Sequence, residues 1–177
     1  MINVRVVGAR AGGAYMHFGF SYTGLAFLIM IFIPNLIWSK NKPENYDIYA
    51  EKENKALLIS ERAGEVSVTA LILSFSDFNP QGANPWLLWL IAAFALMVLY
   101  EIFWVRYFKS ERTMKDFYTG ILGVPVAGAT LPVISVLLIA VYGKNPFLFA
   151  AGAVLGVGHI GIHICHKKEI ADNDIGD

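Results

Sequence analysis

Long apolar runs alternate with short charged intervals along this chain. Four runs approach or exceed the roughly 20 mostly apolar residues that a helix needs to cross a bilayer. They are Phe18 to Ser39, Trp86 to Phe108, Phe117 to Tyr142, and Phe147 to about Cys165. A fifth, from about Ala56 to Phe78, opens with "ALLISERAGEV", where Glu61, Arg62 and Glu65 leave only Val66 to Phe78 cleanly apolar. That remainder is too short to cross by itself.

The cations decide how the fifth run is read, because Lys and Arg accumulate in short cytoplasmic loops. With five crossings, one side holds Lys40, Lys42, Lys52 and Lys55, then Lys109, Arg112 and Lys115, then Lys167 and Lys168. The connectors on the other side offer Lys144. Without the fifth crossing, the positive charge would divide almost evenly. The pattern therefore predicts an all-α, polytopic integral membrane protein of the cell membrane. It is expected to be a five-transmembrane-helix bundle, N-terminus out and C-terminus in, with the lipid bilayer as its first partner.

Arg5 and Arg10 run against that orientation. "MINVRVVGARAGGAY" lacks the long apolar core of a secretory signal, and Met16 opens the first hydrophobic stretch. Residues 1–15 are accordingly read as a leader apart from the membrane domain, with Met16 as an alternative start. Residues 16–177 are read as a single five-helix membrane domain.

Composition sharpens the class. Only 16% of residues are charged and mean hydropathy is +0.52, against about a quarter charged in soluble domains. The formal net charge of zero leaves no basic footprint for nucleic acid. A single cysteine, Cys165, excludes an internal disulfide. Trp38, Trp86, Trp89, Trp104, Tyr107 and Tyr142 fall near the expected span ends, where amphipathic rings settle at headgroup level. "NPQGANPW" and "YGKNPF" read as turn-rich outer connectors, and "KNKPENYDIYAEKENK" as a polar inner loop ending in a helical turn.

Helix direction then gathers the polar side chains. Glu61, Arg62 and Glu65 fall at the cytoplasmic end of the second span, Glu101 and Arg106 at that of the third. Asp116, Tyr118 and Thr119 begin the fourth, and His159, His163 and His166 close the fifth. Residues three and four apart share a helix face. Gly152, Gly156, His159, His163 and His166 thus form one stripe, and Glu61, Glu65, Thr69 and Ser76 another. Both stripes are expected to face the bundle interior, because ionisable groups in lipid are costly. Pro125 and Pro132, with Gly120, Gly123 and Gly128, predict a kinked or partly unwound fourth span.

Two histidines at i and i+4 can chelate zinc, and two histidines with a carboxylate can hold non-haem iron. His159, His163 and His166 are the candidate Zn or Fe ligands. Glu65 and Glu101 are the candidate catalytic groups, as a third ligand or general acid and base. Arg62, Arg106 and Tyr118 would bind substrate, with Arg106 steering anionic headgroups. The expected pairs are Glu65 with His163 or Arg62, and Glu101 with His159. The His159–His163 spacing is similar to that in the haemolysin III and alkaline ceramidase membrane hydrolases. Those families have seven spans and further ligands on earlier helices, which this chain lacks. The functions that follow are a metal-dependent membrane enzyme acting on a lipid or small-molecule substrate, a small transporter or ligand-responsive subunit using the same cluster for protons or solute, and a non-catalytic scaffold subunit.

Overall fold

The computed structural model describes residues 8–11 and 14–174, and these are 75% helical. Residues 1–7, 12 and 13 lie outside the described set, and with them most of the expected leader. Of that stretch, β1 (Gly8–Ala11) pairs antiparallel with β2 (Ala14–His17). Met16 is buried in the core.

Five long helices run alternately up and down. They are α1 (Tyr22–Ser39), α3 (Lys55–Ser74), α4 (Leu87–Lys109), α6 (Ala127–Tyr142) and α7 (Pro146–Asp174). Two single-turn helices, α2 (Tyr46–Ala50) and α5 (Met114–Tyr118), lie in the connections at one end. Helices α1, α4 and α7 are each long and apolar enough to cross a membrane.

Local chemistry sets the helix ends. The Ser21 hydroxyl accepts from the Gly24 backbone N–H at 2.8 Å, which starts α1 four residues later than the apolar run suggests. Asn54 caps α3 by accepting from the Ala56 and Leu57 N–H groups. The "SERAGE" segment then continues without a break through 20 helical residues, a rise of about 30 Å. That helix ends where Phe75 turns extended and bridges to Phe18. Asn145 accepts from the Leu148 N–H, and Pro146 occupies the first turn of α7, where its missing donor is harmless. The helix runs past the expected end at Cys165 to Asp174.

The expected fourth span from Phe117 to Tyr142 is not one helix. Thr113 closes a capping box with Asp116 over α5, and the chain then leaves helical geometry until Ala127. Leu122, Gly123 and Val126 all have positive φ, at 49°, 80° and 42°. Pro125 disfavours helix for the residue before it. This leaves α6 with 16 residues, including Pro132.

Packing is tightest between α3 and α7. A Cβ on Gly158 would come within 2.3 Å of the Glu61 nitrogen, and one on Gly64 within 2.5 Å of the Leu155 Cα. The expected small residues Gly152 and Gly156 instead meet Val133, Val136 and Leu137 of α6. The interfacial aromatics also divide. Trp86 and Trp89 are exposed, but Trp104, Tyr107 and Tyr142 are buried. Just past the C-terminal end of α3, Asp77 is bound by His17 through both its backbone N–H and Nδ1, at 2.6 and 2.7 Å.

Candidate functional site

The buried face of α3 is Glu61, Gly64, Val68 and Ile72, not the expected Glu61, Glu65, Thr69 and Ser76 stripe. Helix contact is governed by the glycine at position 64. It draws Leu155 close and turns Glu61 inward, which leaves Glu65 on the flank. Glu61 Oε1 and His159 Nδ1 are 2.5 Å apart. Glu65 pairs outward with Arg62 at 2.8 Å, with side chains 42% and 69% exposed. One of the two pairings expected for Glu65 therefore forms, and it forms on the outer face.

From Glu61 a string of polar groups follows α7. The His159 and His163 rings meet edge to face with centroids 4.8 Å apart. Tyr118 Oη lies 3.0 Å from His163 Nδ1 and 2.9 Å from His166 Nδ1, so one hydroxyl bridges two imidazoles. A phenol has one proton to donate and lone pairs to accept. It can therefore donate to one Nδ1 while accepting an N–H from the other. His166 is 1% exposed, and its Nε2 faces Glu53 Oε1 at 3.4 Å.

The connection between α1 and α3 supplies the walls. Tyr46 and Tyr49 pack edge-on to His166, and Trp38 stacks on Phe117 with Tyr46 edge-on to both. Burial first, then the nearby Glu61 charge, raises the Glu53 carboxyl above its ordinary range. Burial, with Tyr46 and Glu53 close by, holds the Tyr118 phenol far above its usual range, so it stays an O–H. The backbone N–H and hydroxyl of Thr113 hold the Asp116 carboxyl below its usual range.

The structure separates the remaining predicted residues from this string. Glu101, on α4, has a buried Oε1 with no hydrogen-bond partner, and His159 pairs with Glu61 in its place. Arg106 does not reach toward headgroups. Its guanidinium donates to the Thr119 and Gly120 carbonyls at 2.5 and 2.9 Å and lies over the Phe103 ring. Among the described residues no group of three or more His, Cys, Asp or Glu side chains is placed to hold a metal ion. The Nδ1 atoms of the three histidines are engaged with Glu61 and Tyr118, which leaves Nε2 as the ligating atom for any metal.

Glu61, Glu53, Tyr46 and Tyr49 were missed as site residues. Glu61 had a signal in sequence, because Gly64 marks the face of α3 able to approach another helix. Glu53 and the two tyrosines had none, since an irregular loop has no periodicity to aim them. Comparison with protein-family models, curated proteins and solved structures finds no match for this chain.

Proposed function

We propose that the chain is a five-span protein of the cell membrane, N-terminus out and C-terminus in. In this reading the string Glu61, His159, His163, Tyr118, His166 and Glu53 exchanges protons between mid-membrane depth, at Glu61, and the cytoplasmic loops, at Glu53, in a small transporter or ligand-responsive subunit. The observation that carries it is the Tyr118 hydroxyl between two imidazole Nδ1 atoms. That arrangement passes a proton by switching which nitrogen the phenol donates to, with no net movement of the ring. Glu61 hands a proton to or from His159, and Glu53 is the exit nearest the loops. The cation asymmetry and the 20-residue α3 support the fifth crossing.

Reconstituted vesicles loaded with a pH-sensitive dye test this reading. Glu61→Gln and Tyr118→Phe are each expected to lower protein-dependent proton flux by about tenfold or more, as loss of one proton-transfer group does. Both variants should remain folded by circular dichroism. Wild-type flux no greater than that of empty vesicles would sink the proposal.

A metal-dependent membrane enzyme acting on a lipid-like substrate is the second reading. What favours it is the Glu61 carboxylate beside His159, with His163 one turn further on. Zn or Fe would then be held through the Nε2 atoms of His159 and His163, with Glu61 on the His159 Nδ1 orienting that ring from behind. Elemental analysis of purified protein decides: one metal per chain, lost in His159→Ala and His163→Ala, is the expected result. Unchanged metal content in both variants removes this reading.

A further inference from the structure

The outward faces of the long helices are not alike. That of α1 shows Leu25, Ile29, Phe32, Ile33 and Leu36, the aliphatic and aromatic surface that lipid chains accept. That of α3 shows Ile59, Arg62, Ala63, Val66, Ser67 and Ala70, with Glu65 half-exposed beside Arg62. Arg62, Ile59 and Val66 stand around Ala63 and Ser67 and enclose a shallow open groove.

Depth makes this face unsuited to lipid. Gly64 meets Leu155, which is nine residues along α7 from Pro146. Nine residues correspond to about 14 Å of helix, near the middle of a hydrocarbon core. Glu65 is adjacent to Gly64, and its pairing with Arg62 draws the guanidinium inward rather than toward headgroups. Charged groups at such depth face protein or water.

We propose that this face of α3 is the interface between two copies of the chain. The inference rests on α3 crossing the bilayer, as in the reading above. In a pair related by a two-fold axis normal to the membrane, like depths oppose one another. Arg62 and Glu65 differ by three residues, about 4.5 Å of rise. Arg62 therefore reaches the partner's Glu65, and Glu65 meets Arg62 of the partner subunit. The four charges alternate in sign and neutralise one another away from lipid. Ala63 and Ser67 allow the two backbones to approach closely, as small residues do in membrane helix pairs. The face is complementary to itself, and this selects a second copy over an unrelated partner.

Oxidative cross-linking in native membranes tests the interface. With Cys165→Ser as background, Ala63→Cys and Ser67→Cys are expected to give a product of twice the 19.6 kDa chain mass. Ile33→Cys on the outer face of α1 should not. Arg62→Glu should reduce the Ser67→Cys product several-fold, and Arg62→Glu combined with Glu65→Arg should restore it. Equal cross-linking at positions 33 and 67, an adduct of any other mass, or no recovery in the swapped pair overturns the proposal. Ala63→Cys and Ser67→Cys lie outside the proton string, so vesicle flux in these two variants reports separately on that reading.

Discussion

Glu61 and Glu65 are one helical turn apart and have opposite surroundings. The first is 9% exposed and bound to His159, and the second lies on the outer face with Arg62. Glu53 lies in the connection before α3, and its raised carboxyl gives a pH dependence with a definite sign. The folded state keeps the Glu53 proton to higher pH than the unfolded chain does. Stability therefore falls as pH rises from the ordinary glutamate range through the raised folded value. Glu53→Gln removes that ionisation. The variant is expected to match the wild type at about pH 4 and to melt at higher temperature at about pH 8, read by thermal unfolding in detergent. A lower melting temperature than wild type at the alkaline end would mean that the ionised carboxylate is held by His166.

The α3–α7 pair shows how one small residue places a reactive one. Gly158 lets the backbone of α3 come close enough for Glu61 to reach the histidine at the next position. Gly158→Ala puts a methyl group against the Glu61 nitrogen, and overpacking of this kind costs about 1–3 kcal/mol or more. A lower melting temperature and a weaker Glu61–His159 pair are expected together. The second is visible as a changed His159 resonance in NMR of histidine-labelled protein, and a variant as stable as wild type would contradict the packing. Much at this scale was legible in the sequence. The apolar runs located the five long helices, and the periodicity of α7 put its three histidines on one side. Two features were hidden for physical reasons. Pro125 with Gly120 and Gly123 marked the fourth span as partly unwound, but an apolar run does not show how far such a break extends, so residues 119–126 read as part of a span. A charged stripe also looks alike from either side; Gly64 carries the signal in the sequence, and its packing on Leu155 of α7 shows which carboxylate turns inward.

At the scale of the whole molecule, α3 sets the compartment of each connection. The 20 residues of α3 carry the chain from the α2 end to the β2 end of the bundle. Lys52 and Ser76 are therefore expected on opposite sides of the membrane. Labelling with membrane-impermeant reagents, at single cysteines introduced there in a Cys165→Ser background, checks this. Modification of both from the same side would remove the fifth crossing. Arg106 adds a mechanical condition to the same architecture. Through two carbonyl oxygens it fastens the lower end of α4, a helix able to traverse the bilayer, to the residues directly after Tyr118. A piston-like displacement of α4 must then either break that grip or pull the phenol out from between its imidazoles, so the Tyr118 bridge holds at only one height of that helix.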